Sequence, residues 1–258
     1  MNDDTRELKP GHEPYDETED TTIYWIQDGK VLFQDHVIRG ADAESFRYYA
    51  GTFAKDRNHC YCTSSRLTGA NPKTFRMLNF TYATDGKSVW TMGGKIEGAD
   101  AKTFTVCDIG VMTIIGTRVP YGFGKDKERV YYYNFDGKPN WVRKALPESF
   151  VSLNDGEYGK DARSVFWEIH ALPKVNVERW EKLGCLYSRD DARVYYGNTL
   201  VPEADAGSFE IPDEEDDEDC CSYLGKDKKR HYLRGKVIPA AKYAKELGPV
   251  KPKGGKKK

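Results

Sequence analysis

Six cysteines (Cys60, Cys62, Cys107, Cys185, Cys220 and Cys221) and five histidines (His12, His36, His59, His170 and His231) are the side chains best suited to metal ligation or nucleophilic chemistry. Their spacing argues against both. No paired C-x-x-C knuckles occur, so no structural zinc site is expected. Cys60 and Cys62 stand two apart in a strand-like run and face the same way, where Cys60 reads as a small buried hydrophobe. Cys220 and Cys221 follow seven carboxylates, which raise thiol pKa and blunt nucleophilicity. His231 falls in a core-patterned stretch and reads as packed. The sequence contains no Gly-rich phosphate loop, no H-E-x-x-H and no nucleophile elbow. Nothing singles out a carboxylate pair for glycosidic cleavage. No catalytic residue, metal or cofactor is therefore assigned, and the chain is not expected to be an enzyme.

Binding chemistry is easier to place. Asp213, Glu214, Glu215, Asp216, Asp217, Glu218 and Asp219 form an unbroken acidic run. Such a run repels itself and stays solvated. It suits docking to a basic protein better than calcium binding, because it lacks a glycine-turned loop with alternating ligands. A second candidate surface is the long hairpin tip after Tyr132 and Tyr133, which ends near Trp141. Irregular tips and inserts are where repeat proteins carry specificity. With Trp167, these aromatics also offer a stacking platform for sugars or nucleobases. The basic end, Lys251 to Lys258, reads as a solvated tail.

The elements that position these groups are repeated. Phe123-Gly124-Lys125-Asp126 running to Val130-Tyr131-Tyr132 has near-copies centred on Asp161, Asp190 and Asp227, and looser ones on Asp28, Asp56 and Asp85. Three residues before the Asp sits a large apolar residue: Trp25, Phe53, Tyr82, Phe123, Tyr158, Tyr187 or Leu224. Lys or Arg precedes the Asp directly in five copies. Leu32, Cys60, Val89, Val130, Val165, Val194 or His231 at plus four and an aromatic at plus five alternate across a strand, and because both are large, both faces are expected to be covered by neighbouring repeats. Asp starts the turn because its carboxylate accepts from N–H groups two residues on. Further along, segments such as Ala41-Asp42-Ala43-Glu44-Ser45-Phe46 and Ala99-Asp100-Ala101-Lys102-Thr103-Phe104 read as single helical turns. Asp or Asn caps each turn and the aromatic anchors it. The gap from Asp to this aromatic is 19 residues from Asp56, Asp85, Asp161 and Asp190.

These residues resemble the DKNYY family, a bacterial repeat family named for the Lys-Asp-turn-Tyr-Tyr pattern, over roughly residues 23 to 243. Departures fall at Thr84, Cys60 and His231 and in the longer spacings after Asp85, Asp126 and Asp190. The resemblance implies a β-hairpin repeat protein of binding or structural type, with no catalytic residues to transfer. It also implies an association with toxin–immunity and secretion genes.

The expected fold is mostly β: about seven hairpin repeats of two to three strands, each with a short helical turn, stacked as an open twisted array or a closed ring. Residues 1–21 read as a disordered acidic arm, 22–248 as one repeat domain and 249–258 as a basic tail. Asp28-Gly29 between apolar runs signals a tight hairpin, and Val111 to Ile115 reads as an extra buried strand completing the middle of the sheet. Aromatics make up 13% of the chain and tyrosines number 17, which favours a core of rings with wet edges. No secretory leader or membrane-length apolar run is evident, so a cytoplasmic protein with reduced thiols is expected. The leading functional expectation is capture of a protein partner, such as a basic toxin or effector, by an immunity-type inhibitor. The alternatives are a self-associating scaffold or a carbohydrate- or nucleotide-binding protein. Neither specific nucleic acid nor membrane is expected as a partner, and the sequence leaves the oligomeric state open.

Overall fold

The structure, a computed structural model, describes residues 5–8, 24–49, 51–114, 117–135, 137–184, 186–212 and 223–247. The chain divides into two compact units, Met1–Ala162 and Arg163–Lys258. Both are mostly β, built from short antiparallel strands, and no sheet among the described residues closes on itself.

In the first unit the repeat hairpins are Tyr24–Gln27 with Lys30–Phe33, Phe53–Lys55 with Cys60–Cys62, Ala83–Thr84 with Val89–Thr91, and Thr117–Lys125 with Val130–Asn134. Two-residue strands flank them. Arg47–Tyr48 and Ser65–Arg66 flank the second hairpin, Arg76–Met77 and Gly94–Lys95 the third, and Thr105–Val106 and Asn140–Trp141 the fourth. Inner repeats thus carry four strands, more than expected, because the residues on either side of each turn also pair. The second unit repeats the plan. Tyr187–Arg189 and Val194–Tyr196 lie between Glu181–Gly184 and Thr199–Leu200, and Leu224–Lys226, His231–Leu233 and Lys236–Ile238 follow. The last repeat ends in the helix Ala240–Leu247, which starts after Pro239 and buries Tyr243 against the His231 ring, with centroids 4.5 Å apart.

The core lies between consecutive repeats. One layer joins Tyr24, Val31, Ile38 and Phe46 to Ala54 and Tyr61 of the next repeat, and another joins Tyr82, Val89, Ile96 and Phe104 to Tyr131. The turn aromatic is the wedge. Phe46 lies 5.3 Å from Tyr24 and 5.6 Å from Tyr61, Phe104 lies 5.3 Å from Tyr82 and 5.8 Å from Tyr131, and Phe209 lies 5.1 Å from Tyr187 and 5.5 Å from Tyr232. The residue two before the repeat Asp must be small, because this ring presses on it. A Cβ at Gly124 would collide with Phe104, and one at Gly225 with Phe209. The edges of these rings are not wet as expected: Tyr24 and Tyr82 are fully buried, and their hydroxyls donate instead to backbone carbonyls of the next repeat, Tyr24 to Thr52 (2.6 Å) and Tyr82 to Gly122 (2.9 Å).

Three further expectations are corrected. The first copy is out of register by one residue. Ile38 N donates to Val31 O as Val201 N does to Val194 O, so Val31 matches Val194 and Gln27 stands in the Asp position. Asp28-Gly29 forms the hairpin tip, both with positive φ. With Gln27 as zero, the gap to Phe46 is again 19 residues. Within the segment read as a disordered arm, Arg6–Glu7 pairs with Arg47–Tyr48 and Leu8 is buried in the first core layer, which supplies the apolar contact that orders it. The insert strand Val111–Ile114 exists but is not a buried central strand. It pairs only with the first part of Thr117–Lys125 as a separate two-stranded arm, half-buried with Thr113 exposed.

Candidate binding site at Trp141

The repeated carboxylates are structural. Asp126 Oδ1 accepts from Glu128 N and Arg129 N, both at 2.8 Å, which fixes its own turn. Its Oδ2 accepts from Tyr131 Oη at 2.8 Å and from Asp100 N at 2.9 Å. Asp100 opens the preceding helical turn, so one carboxylate ties a hairpin to the repeat before it. Asp56, Asp190 and Asp227 repeat all four contacts, taking Asp42 N, Asn176 N and Asp205 N as the upstream donor. The preceding cation works in the other direction. Lys125 Nζ donates to Pro147 O (2.8 Å) and Phe150 O (2.9 Å) of the following turn, and Arg189 does the same to Ala206 O and Phe209 O. The Lys-Asp pair therefore holds the start of one turn and the end of the next. Burial alone would raise these carboxyls, but the hydrogen bonds outweigh it. Asp126 and Asp190 fall below the ordinary value, and Asp227 is held at about 2.

The turns are single hydrogen-bonded turns rather than helices, with Asp42, Asn71, Asp100 and Asp205 each accepting from the N–H two residues on. Cys60 and Cys62 are buried, and burial pushes both thiols up to about 12. Among the described residues no group of three or more His, Cys, Asp or Glu side chains is placed to hold a metal ion. No helix among them is long and apolar enough to cross a membrane.

One site with room for a ligand is in the first unit. A cavity of about 500 Å³ is lined by Lys95, Glu97, Arg129, Tyr131, Lys138 and Trp141, among others. Trp141 is 46% exposed. The Arg129 guanidinium lies 4.7 Å from its ring centroid and that of Arg143 5.9 Å, both within cation–π range. Of the aromatics read as one recognition surface, only Trp141 is available. Tyr132 and Tyr133 are buried: Tyr132 packs on Phe123 at 4.7 Å and donates to Gly156 O, and Tyr133 belongs to the third repeat's core layer. Strand alternation cannot expose them, since neighbouring repeats cover both faces. Trp167 is half-buried and stacks on His170. The run Asp213, Glu214, Glu215, Asp216, Asp217, Glu218 and Asp219 lies outside the described residues, as do Cys185, Cys220 and Cys221.

One group was missed in the sequence. Asp108, at the base of the insert arm, is not a repeat Asp. It accepts from Phe123 N (2.8 Å), Ser152 Oγ (3.0 Å) and Gly110 N (3.0 Å), and burial pushes it up to about 6. Its only sequence signal is Asp108-Ile109-Gly110 just before an insert.

Layered hairpins, wedge aromatics and a Lys-Asp pair used as a two-way tie define a β-hairpin repeat protein. Residues 53–199 and 187–248 match the model of the DKNYY family, and the chain belongs to that family. No curated protein and no solved structure matches the chain.

Proposed function

We propose that this chain is a non-catalytic protein-binding repeat module, an immunity-type inhibitor that captures a bacterial toxin or effector in the cytoplasm. The observation that carries the reading is the division of labour along the chain. The repeated charges are engaged in holding neighbouring turns, while the departures from the repeat include the half-exposed Trp141 and the unbroken acidic run Asp213 to Asp219. Two departures fall at the same point of the repeat, between the strand after a turn and the next hairpin: the arm Val111–Ile114 with Thr117–Pro120, and the acidic segment 213–219 between Glu210 and Leu224. The third is the tip beside Trp141.

In this reading Asp213 to Asp219 meet basic surface on the target, which speeds association and makes it sensitive to salt. The test is calorimetric titration of the chain with the product of the adjacent gene, at low and high salt. It compares the parent with a variant whose seven acidic residues are replaced by Asn and Gln. Stoichiometric binding that weakens with salt and with neutralisation supports the reading. Binding indifferent to both rejects the role of the acidic segment, and no binding rejects the immunity reading for that pair.

A further inference from the structure

In the first three repeats two residues join the second hairpin strand to the edge strand: Gln34-Asp35, Thr63-Ser64 and Met92-Gly93. In the fourth, residues 135–139 join Val130–Asn134 to Asn140–Trp141. Gly137 and Pro139 of this longer tip lie against Gly93 of the third repeat. The space a Cβ would take at Gly93 is filled by Gly137 O, the Tyr133 ring and Pro139 Cδ, the last at 3.2 Å. The tip thereby walls the cavity of about 500 Å³ beside Trp141, which the other repeats of this unit, with two-residue tips, have no segment to build.

Three features of that cavity specify a ligand. First, its charges do not balance: Lys95, Arg129 and Lys138 face a single acid, Glu97, which lies 3.8 Å from Lys95. Cations gathered in a concave site attract an anion. Second, the cavity lies against two edge strands, because Gly94–Lys95 and Asn140–Trp141 each end their sheet. An edge strand offers its outer backbone groups to an added strand. Third, Trp141 is half-exposed beside the cations, with the Arg129 guanidinium held over its ring. Phosphate alone uses only the first feature. A nucleic-acid backbone calls for a longer basic track than these few cations, and the chain has a formal net charge of −1.

We propose that the Trp141 cavity binds an acidic peptide segment in extended form. Its backbone runs along the Asn140–Trp141 edge, and its carboxylates lie on Arg129, Lys95 and Lys138. The site does not depend on the role given to residues 213–219. The segment belongs to a partner protein, chosen by its charge against Lys95, Arg129 and Lys138; residues 213–219 of a second copy of this chain are the competing occupant that the test distinguishes.

The experiment uses the full chain and a short fluorescein-labelled peptide rich in Asp and Glu, read by anisotropy against its Asn/Gln isostere. Saturable binding is expected, with the isostere at least about tenfold weaker. Arg129→Gln with Lys138→Gln is expected to weaken binding about tenfold, and Arg66→Gln with Lys73→Gln, the same loss of two charges away from the cavity, to leave it unchanged. Lys138→Gln alone, on an exposed side chain, keeps the test valid if Arg129→Gln lowers the melting temperature. Equal binding of the isostere, equal binding by the cavity variants, or preferential displacement by a single-stranded oligonucleotide overturns the proposal. Sedimentation of the parent and the variant neutralised at 213–219 tests the source: a monomer in both supports a partner protein, and self-association lost on neutralisation overturns that assignment in favour of a second copy.

Discussion

Asp126 and Asp108 lie in the same unit and both accept hydrogen bonds from backbone N–H groups, yet their acidities move in opposite directions. Burial raises both. At Asp126 it is outweighed by donors from Asp100, Glu128, Tyr131 and Arg129, and the carboxyl falls below its ordinary value. At Asp108 the bonds from Phe123, Ser152 and Gly110 offset burial only in part, the nearby Asp155 adds repulsion, and the carboxyl rises to about 6. The difference separates a carboxylate that the repeat is built around from one enclosed by an insertion. The first holds two repeats together as an anion. The second holds the base of an arm and loses its proton near pH 6.

Breaking the first site should have the largest effect. Asp126→Ala leaves three backbone N–H groups and the Tyr131 hydroxyl without their acceptor, at a cost of roughly 3–5 kcal/mol in urea unfolding. If the loss is no larger than that for Asp108→Ala, the contrast between the sites fails. The second site is expected to appear as a pH dependence. Asp108 has a folded pKa of about 6 against an ordinary value of 3.8, so between those values the native state holds more protons than the unfolded chain. Stability then falls as pH rises through that window, by on the order of 3 kcal/mol. Asp126, Asp190 and Asp227 act in the opposite sense: their contribution is complete above about pH 4 and is lost as pH falls toward their lowered values. Asp108→Asn should remove the decline between about pH 4 and pH 6 and leave the acid limb in place. A smaller effect is expected from Tyr131→Phe, which removes one donor from Asp126 at a cost of about 1 kcal/mol, measured the same way. The smallest should be stabilising. Gly40, Gly69 and Gly98 take positive φ before the first three turns, and Lys144 takes the same position before the fourth with φ 68°. Lys144→Gly should relieve about 1 kcal/mol of left-handed strain, read as a rise in melting temperature.

The repeat itself was legible because each feature of it has a local cause. Asp at a turn, apolar and aromatic residues alternating across a strand, and a fixed gap to the wedge aromatic can all be read from one chain. What a single copy hides was not legible. Asp28 imitated the repeat Asp because a two-residue Asp-Gly tip also places an Asp between apolar runs, and the pairing of Ile38 with Val31 reveals the slip, in agreement with the 19-residue gap from Gln27 to Phe46. Two-residue edge strands such as Ser65–Arg66 are too short to show a period. Tyr132 and Tyr133 read as a reachable surface because their burial depends on contacts with other repeats. Trp141 was placed correctly at the tip, but its cavity depends on Gly93 of the preceding repeat, a contact between turns that no spacing rule records. Asp108 has no second copy to compare with.

The account rests on the repeat Asp reaching back to the turn before it, and amide hydrogen exchange at Asp100 tests that contact directly. Asp100 N–H opens its turn and bonds to Asp126 Oδ2 at 2.9 Å. Ile96 N–H, a few residues earlier, bonds to Val89 O and does not depend on Asp126. In Asp126→Ala, exchange at Asp100 is expected to accelerate at least about tenfold relative to Ile96, as a local opening does. If the two amides keep their parental ratio, the carboxylate does not tie the repeats together, and the central role given to the Lys-Asp pair is wrong.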